Sequence, residues 1–403
     1  MLSVSEALAL IVRTVARLPP QRVELDNAQG LVLAESVASD DDSPPFDKAL
    51  MDGYAVRSID VQSTSVRLHV CEEVMAGQVP QKILQPGNAT RIMTGAPLPQ
   101  GADAVVQVEH SRMDGEDVVL LETTPPKPGR SVLPRGASVR AGDIVLTAGT
   151  ELRSQQLGCL AEMGRARVPV FPRPQVAVLA TGDELVPVAA TPGPGQIRNS
   201  NETMLCSQLR QAGATPVPLG IARDNPEDLR EKISRGLQAD VLLMSGGVSA
   251  GKLDLVPGVL GELGVREIFH KVQLKPGQPL WFGVFEQEAG RCCYVFGLPG
   301  NPVSSMVCCE FFVRTALRCL MGVEPAEPVP LRASLTSTYF NRGTRPTFHP
   351  ARLTATSTGY TVATVPWVGS ADLCATSRAN AMALFPGADT EYHPGDMLDV
   401  FPW

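Results

Sequence analysis

The chain has 403 residues, of which 44% are hydrophobic, and a formal net charge of -7. Its length predicts roughly two to four domains of about 100 to 200 residues each, with real hydrophobic cores. The acidic balance, without a long run of Lys and Arg, argues against a nucleic-acid partner and against a membrane surface. No stretch approaches ~18 consecutive apolar residues. Glu6, Arg13 and Arg17 interrupt the first apolar segment, so a cytoplasmic protein is expected.

The first predicted element is a helix that starts near Ser3. Ser3 and Glu6 have the spacing of a capping box, in which each side chain accepts a hydrogen bond from the other residue's backbone N–H. Pro19 and Pro20 then end the helix, because proline lacks the N–H donor. Apolar residues recur at helical spacing along this segment, namely Val4, Leu8, Ile11, Val15 and Leu18.

Residues 22–175 predict a mostly β region. Short strand-like runs are separated by frequent Gly and Pro, which is typical of strands joined by turns. Such a region has room for small barrel-like inserts and for an extended connecting domain.

Residues 176–321 differ from the preceding region, because predicted strands and helices alternate. Helices are expected from about Glu202 to Gly213, after Asp224, and from Val303. This alternation predicts a doubly wound α/β sheet. The predicted strands are QVAVLA (175–180), TPVPLGI (215–221), DVLLM (240–244), EIFHKV (267–272), PLWFGV (279–284) and CCYVFG (292–297).

Together these patterns predict a multidomain α/β protein, with one doubly wound α/β domain and several mostly β parts. An N-terminal helix and extended segment, 1–45, is expected to continue in 140–172 as a connecting domain. A mostly β domain spans 46–139, the α/β domain spans 173–323, and a C-terminal β domain spans 331–403. A proline-rich linker precedes the last domain.

Small and polar residues follow three of the predicted strands: TGDEL (181–185), SGGVSAG (245–251) and LPGNPVSS (298–305). The carboxyl ends of parallel strands meet at one edge of a sheet, and ligands bind there. The residues expected within reach of one ligand are Asp183, Glu184, Ser245, Ser249, Asp254, Asn301 and Ser304.

The segment GGVSAGK, residues 246–252, matches the first seven positions of the phosphate-binding P-loop. Leu253 replaces the hydroxyl that holds Mg²⁺ in that motif, and Pro257 and Gly258 weaken the following helix, so a nucleoside triphosphatase is disfavoured. A loop whose backbone N–H groups bind an anion is favoured, and a glycine turn without a ligand stays the alternative. Asp254 and the carboxylates of TGDEL are suitable ligands for hydrated Mg²⁺.

Six motifs are spread over nearly the whole chain. They are SPPFDKALMDGYAV (43–56), RIMTGAPLPQGADAVV (91–106), VLATGDEL (178–185), SGGVSAG with Asp254, QLKPGQP (273–279) and LPGNPVSS (298–305). In order and spacing they resemble the MoeA family of molybdopterin molybdotransferases, which is related to the gephyrin E domain. The resemblance implies a molybdopterin-binding α/β domain. It also implies that molybdate is inserted into adenylylated molybdopterin, with release of AMP, in a Mg²⁺-dependent step.

The resemblance further implies a homodimer whose cleft is completed by the partner subunit, so Asp52 and Asp254 are expected to meet across chains. The molybdopterin adenylyltransferase is a candidate partner. The implied catalytic residues are Asp52, Thr94, Glu184 and Asp254, of which Glu184 and Asp254 are also expected to hold Mg²⁺. Lys275, Pro279, Ser304, Arg345 and Ser370 are implied at the molybdate or at the dithiolene end of the pterin. The remaining residues expected to bind substrate are Gly182, Asp183, Ser245, Gly246, Gly247, Ser249, Pro299, Asn301 and Pro302.

The chain departs from the family pattern at several positions. Many relatives have Glu where this chain has Lys252, and Lys where it has Gln278. The segment that resembles RGED has lost both acids at Ala137 and Ser138. A tungstate-preferring paralogue and a non-catalytic pterin-binding or scaffold paralogue therefore remain alternatives to the molybdotransferase. The presence of TGDEL, Asp52 and Asp254 favours the enzyme, because a scaffold has no chemical need for carboxylates at one rim.

Overall fold

The computed structural model describes residues 1–248 and 255–403. The chain divides into two compact units. Unit 1 consists of 1–34, 149–153 and 167–403, and unit 2 consists of 35–148 and 154–166. The finer division into four domains stays a prediction.

Unit 1 begins with helix α1 (Val4–Thr14), which has the predicted capping box. Glu6 donates its backbone N–H to the Ser3 hydroxyl at 3.2 Å, and Ser3 donates its N–H to the Glu6 carboxylate at 2.7 Å. The helix ends at Thr14, so the predicted extension to Leu18 was wrong. The apolar spacing continues past the helix because Leu18 packs against the same core, where its N–H bonds the Leu320 carbonyl at 2.9 Å. Strands β1 (Gln21–Glu24) and β2 (Val32–Leu33) follow.

Unit 2 contains ten short strands and one helix. The strands are β3 (Val37–Ala38), β4 (Lys48–Ala49), β5 (Gly53–Val56), β6 (Val66–Val74), β7 (Asn88–Ile92), β8 (Ala104–Gln107), β9 (Ser111–Asp114), β10 (Asp117–Leu120), β11 (Val132–Leu133) and β12 (Ile144–Leu146), and the helix is α2 (Ser154–Glu162). Six strands form one sheet in the order β8-β5-β7-β6-β10-β9, and β11 pairs with β4 and β12 with β3. Tyr54, Val106 and Leu120 belong to the buried core of this sheet.

The central part of unit 1 alternates strands and helices. Its strands are β13 (Arg167–Phe171), β14 (Gln175–Thr181), β15 (Leu185–Val186), β16 (Ile197–Arg198), β17 (Thr215–Ala222), β18 (Val241–Ser245), β19 (Arg266–His270), β20 (Trp281–Glu286) and β21 (Cys292–Leu298). Its helices are α3 (Ser200–Gln211), α4 (Pro226–Gly236), α5 (Val256–Glu262), α6 (Pro302–Cys308) and α7 (Arg314–Leu320), with a π-helical turn (Cys309–Val313) between the last two. Strand β13 lies between β1 and β2 in a small sheet.

The main sheet of unit 1 has the order β17-β14-β18-β21-β20-β19. Strands β17, β14, β18 and β21 are parallel, and β20 runs antiparallel to both of its neighbours. Strand β19 therefore points the same way as the parallel four, and the loop after it leaves at their carboxyl rim. Val176 and Val178 of β14 enter one core, while Ala177 and Leu179 enter another. Both faces are thus buried, which confirms the doubly wound α/β fold class.

Unit 1 ends in a small closed barrel of strands β22, β25, β24, β26 and β28. The C-terminal elements are β22 (Leu331–Leu335), β23 (Tyr339–Asn341), β24 (Thr347–Thr356), β25 (Gly359–Thr364), α8 (Leu373–Thr376), β26 (Ala381–Phe385), β27 (Thr390–Tyr392) and β28 (Met397–Pro402). Strands β23 and β27 pair with each other outside the barrel. Short 3₁₀ turns occur at Leu25–Asn27, Ser58–Asp60, Val108–His110 and Glu288–Gly290. Within the described ranges, every helix is too short or too polar to cross a bilayer.

Candidate active site

A cleft of about 670 Å³ lies at the carboxyl rim of the main sheet of unit 1. We call it the rim cleft. It is bordered by the loops after β14, β18 and β21 and by the first residues of α3 and α6. Residues predicted from the sequence that line it are Gly182, Glu184, Ser245, Gly246, Gly247, Pro279, Pro299, Asn301 and Pro302. The rim that the strand order predicts thus carries a cleft of ligand size.

Gly246 and Gly247 form the turn after β18, with φ angles of 98° and 66°. Residues with a Cβ rarely adopt this left-handed region. A Cβ on Gly246 would also lie 2.6 Å from the Thr181 carbonyl oxygen, so the two loops approach backbone to backbone. The Gly246 N–H donates to the Leu298 carbonyl at 3.0 Å. Because the Gly246 N–H is already used in this bond, an anion at this turn would be bound by the backbone N–H groups that follow Gly246.

Asn201 connects two of the rim loops. Its Nδ2 donates to the Ser245 hydroxyl at 2.7 Å and to the Gly300 carbonyl at 2.8 Å. The sequence reasoning missed Asn201, because it started the helix at Glu202, whereas α3 starts at Ser200 with Asn199 as its N-cap. Asn199 accepts a hydrogen bond from the Glu202 N–H at 3.3 Å. The run Asn-Ser-Asn at residues 199–201, where the helix begins, is the signal that points to this cap.

Arg223 holds the TGDEL loop in place, and the sequence reasoning missed it as well. Its Nη1 donates to the carbonyl oxygens of Gly182, Asp183 and Leu185 at 3.4, 3.0 and 3.2 Å. The Asp183 carboxylate accepts the Asp224 N–H at 3.2 Å and is absent from the cleft lining, so its contact stabilises the loop. The Glu184 side chain lines the cleft and is exposed.

The carboxylates of Glu184 and Asp224 line the same cleft. Among residues 1–248 and 255–403, no three His, Cys, Asp or Glu side chains come together as a metal site. Mg²⁺ is usually held by one or two carboxylates together with water and substrate phosphates. The donors therefore fit a Mg²⁺ that binds with a phosphate ligand. Ser249 and Asp254, which were expected at this rim, lie outside the described residues.

A second cavity of about 600 Å³ adjoins the rim cleft, and Pro279, Pro299 and Asn301 line both. We call it the oxyanion pocket. It contains four further residues predicted for substrate, Lys275, Ser304, Arg345 and Ser370. Asn301 Nδ2 donates to the Ser370 hydroxyl at 3.0 Å, which joins the loop before α6 to the loop before α8.

Three cations line the oxyanion pocket, Lys275, Arg342 and Arg345, and no carboxylate occurs in its described lining. Lys275 Nζ donates to the Arg342 carbonyl at 3.1 Å. Arg345 Nη1 donates to the Leu274 carbonyl at 3.2 Å and to Gln278 Oε1 at 2.6 Å. These bonds fix the charged groups of Lys275 and Arg345 in place without neutralising them, as suits an anion-binding pocket.

Aromatic side chains form another part of the oxyanion pocket, which the sequence reasoning did not anticipate. Tyr339, His349 and Trp367 line it, and the His349 ring lies 4.8 Å from Tyr339 and 5.1 Å from Trp367, edge to face. Burial has the largest effect on the pKa of His349 and lowers it, the hydrogen bond to the Pro350 carbonyl partly opposes this, and the charge of Lys275 lowers the pKa by a smaller amount. His349 is thus favoured in its neutral form.

Asp52 and Thr94 belong to unit 2 and lie together there. The Asp52 carboxylate accepts hydrogen bonds from the Thr94 N–H and from the Thr94 hydroxyl, both at 2.7 Å. The hydroxyl bond and then the backbone bond lower the pKa of Asp52. Both side chains are exposed, so the ionised carboxylate is held at the surface of the unit.

Family models match three successive parts of the chain. The MoeA N-terminal region (domain I and II) matches residues 2–164, a probable molybdopterin binding domain matches 177–319, and the MoeA C-terminal region (domain IV) matches 332–403. The chain belongs to the MoeA family. It is accordingly a transferase of molybdenum cofactor biosynthesis, as the motifs predicted.

Individual relatives agree with this assignment over most of their length. The molybdopterin molybdenumtransferase of Nostoc sp. is 38% identical over 86% of this chain and 81% of its own. The one from Staphylococcus epidermidis is 32% identical over 99% of this chain and 95% of its own. The crystal structure of the molybdopterin biosynthesis MoeA protein from Pyrococcus horikosii has 31% identity and a TM-score of 0.85, and covers 100% of this chain and 99% of that one.

Proposed function

We propose that this MoeA protein inserts molybdate into adenylylated molybdopterin and releases AMP in a Mg²⁺-dependent step. One observation carries the proposal. The rim cleft and the oxyanion pocket are contiguous through Pro279, Pro299 and Asn301. A long substrate with a phosphate bridge at one end and a molybdate-binding group at the other requires two joined pockets of different chemistry.

The rim cleft suits the adenylyl phosphates. Phosphate needs close approach of backbone, which the Gly246–Gly247 turn allows, and the first turn of α3 adds a helix N-terminus. Glu184 and Asp224 would hold Mg²⁺ there, with Asp254 from the part of the chain outside the described residues. When bound, the ion would neutralise charge on the phosphates. Asn201 and Arg223 fix the loops on which these groups lie.

The oxyanion pocket suits molybdate, which is a dianion. Lys275 and Arg345 supply charge, while Ser304, Ser370 and Asn301 supply polar groups. Hydrogen bonds from charged donors contribute roughly 1.5 to 3 kcal/mol each, and less where solvent screens them. Tungstate has the same charge and shape, so a preference for tungstate stays the alternative within the same reaction.

The assembly and location of the protein are part of the proposal. We expect a homodimer in which Asp52 of one subunit acts in the cleft of the other. We also expect the molybdopterin adenylyltransferase as a substrate-delivering partner and a cytoplasmic location. These expectations follow from the family resemblance and from the absence of a long apolar or basic run in the sequence.

A reconstitution tests the reaction. The purified chain is incubated with adenylylated molybdopterin, and AMP is followed by chromatography with molybdate, with tungstate, without either, and with a chelator in place of Mg²⁺. We expect AMP release that requires both the oxyanion and Mg²⁺. Release at the same rate without any oxyanion, or no release at all, would exclude the proposed reaction.

A further inference from the structure

His349 is the one side chain of the described oxyanion-pocket lining that can both accept and donate a proton near neutral pH. It is 94% buried, since its exposed fraction is 6%. Its position on β24 places it beside residues of β23 and of the loop before α8. A buried histidine in a cavity lined by cations has no stabilising charge partner, so a chemical role has to be considered.

The hydrogen bonding of the ring determines which nitrogen faces the ligand. Nδ1 lies 2.8 Å from the Pro350 carbonyl oxygen. Because a carbonyl only accepts, Nδ1 must carry the hydrogen, and the neutral ring then has its lone pair on Nε2. Within the described part of the chain, Nε2 has no hydrogen-bond partner. It is therefore the atom left to act on a ligand in the pocket.

The neighbours of the ring fix its orientation. Tyr339 and Trp367 pack against it edge to face, and Phe385 lies on a further side at 6.2 Å. The indole Nε1–H of Trp367 is buried and has no partner among the described residues. The described lining thus includes an unused acceptor, His349 Nε2, and a buried unused donor, Trp367 Nε1.

We propose that His349 is a proton-transfer residue of the molybdate insertion, in which Nε2 moves protons from the substrate's thiol groups to the molybdate oxygen that leaves as water. This proposal rests on the proposed function. The two S–H bonds and one Mo–O bond break, and two Mo–S bonds and the two O–H bonds of water form. The two protons pass through Nε2 one after the other, and the oxidation state of molybdenum does not change. No further reactant is needed.

The charges around the ring are consistent with this role. Lys275 from the loop after β19, and Arg342 and Arg345 from the loop before β24, are cationic, and Tyr339 of β23 is a neutral phenol. Burial, with a smaller effect of Lys275, keeps the ring neutral before the ligand binds. A bound dianion offsets the cations and favours the protonated ring, which prepares Nε2 to donate.

The first test needs no turnover. Molybdate is titrated calorimetrically into the full chain near neutral pH in two buffers of different ionisation enthalpy, which gives the number of protons taken up. We expect uptake by the unmutated chain, loss of that uptake in His349→Gln, and retained uptake in the matched control His393→Gln. His393 is exposed and lies in the same C-terminal part. Equal uptake in all three proteins would overturn the proposal.

Since His349 is buried, the unmutated chain provides a test that does not depend on the folding of a variant. The chain has five histidines, whose ring signals can be titrated by NMR. One signal should titrate below the ordinary histidine pKa and move to a higher pKa when molybdate is added. If no histidine signal responds to molybdate, the proposal is wrong.

The second test separates this proposal from the proposed function. Cofactor formation is measured against pH at saturating molybdate. His349→Gln should lower kcat by about a hundredfold, change the KM for molybdate little, and abolish the fall in rate at alkaline pH, where the ring of the unmutated chain loses its proton. An active unmutated chain with an equally active His349→Gln variant would remove His349 from the mechanism and leave the proposed function intact. An inactive unmutated chain would instead contradict the proposed function.

Discussion

Arg345 and Gln278 form a direct hydrogen bond in the oxyanion pocket, with Arg345 Nη1 2.6 Å from Gln278 Oε1. An uncharged side chain therefore orients one of the cations that are proposed to bind molybdate. Both residues are partly buried, so the bond contributes more to the position of the guanidinium than an exposed pair would.

This pair predicts opposite effects for two substitutions of Gln278. Gln278→Lys adds a cation beside Arg345. The two positive charges repel each other in the free protein, and a bound dianion relieves this repulsion. We expect a several-fold lower molybdate KM with little change in kcat, because ground state and transition state gain alike. Gln278→Met removes the bond without adding charge and should raise the KM. Steady-state kinetics at low salt measures both, and an unchanged KM in both variants would exclude a role for this pair.

Thr94 sets the ionisation of Asp52 in unit 2. Its hydroxyl and N–H both bind the carboxylate and lower the pKa of Asp52. Thr94→Ala removes the hydroxyl bond, so the pKa of Asp52 should rise and the acidic limb of the pH–rate profile should move to higher pH. Thr94→Ser keeps the bond and is the matched control. The same acidic limb in the Ala and Ser variants would show that ionised Asp52 is not required.

Two glycines of unit 1 should respond oppositely to alanine. Gly246 has a φ of 98°, and a Cβ there would lie 2.6 Å from the Thr181 carbonyl oxygen. Gly246→Ala should lower the free energy of unfolding by about 1 to 3 kcal/mol. Gly258 lies within α5, and a Cβ added there would meet open space. Gly258→Ala should therefore raise the free energy of unfolding by about 0.5 to 1 kcal/mol. Denaturant unfolding measures both, and equal stability of the two variants would contradict the strained turn.

A shared site between subunits predicts that two inactive variants rescue each other. Asp52→Asn and Glu184→Gln should each abolish AMP release as homodimers. After subunit exchange, a mixed dimer contains one cleft with neither substitution, so about a quarter to a half of the activity should return. Exchange is verified with differently tagged subunits. Absence of recovery in verified mixed dimers would mean that both residues act within one chain.

The elements that the sequence predicted well are those whose signals are local. Ser3 and Glu6 form the capping box, and Asn225 caps α4 by accepting the Asp228 N–H at 2.9 Å. The rim cleft was also predictable, since parallel strands bring the loops after β14, β18 and β21 to one edge. The end of α1 could not be predicted in this way, because the apolar spacing continues to Leu18 through tertiary packing after the helix has ended.

The oxyanion pocket illustrates what local signals leave out. Lys275 forms two backbone hydrogen bonds with the start of β24. Its N–H donates to the Pro346 carbonyl at 3.1 Å, and its carbonyl accepts the Phe348 N–H at 2.8 Å. This pairing joins segments about 70 residues apart and brings His349 next to Lys275. No spacing along the chain encodes such a contact, and a single histidine between Phe and Pro resembles an ordinary core residue.

The most direct test asks whether the two contiguous pockets bind the two ends of one substrate. Binding of AMP and of molybdate is measured separately by calorimetry for the unmutated chain, Arg345→Met and Asn201→Ala. Arg345→Met should weaken molybdate binding about tenfold and leave AMP binding within about twofold. Asn201→Ala, which loses the bonds to Ser245 and Gly300, should weaken AMP binding about tenfold and leave molybdate binding within about twofold. If each variant weakened both ligands equally, or neither ligand, the division of the substrate between the two pockets would be contradicted.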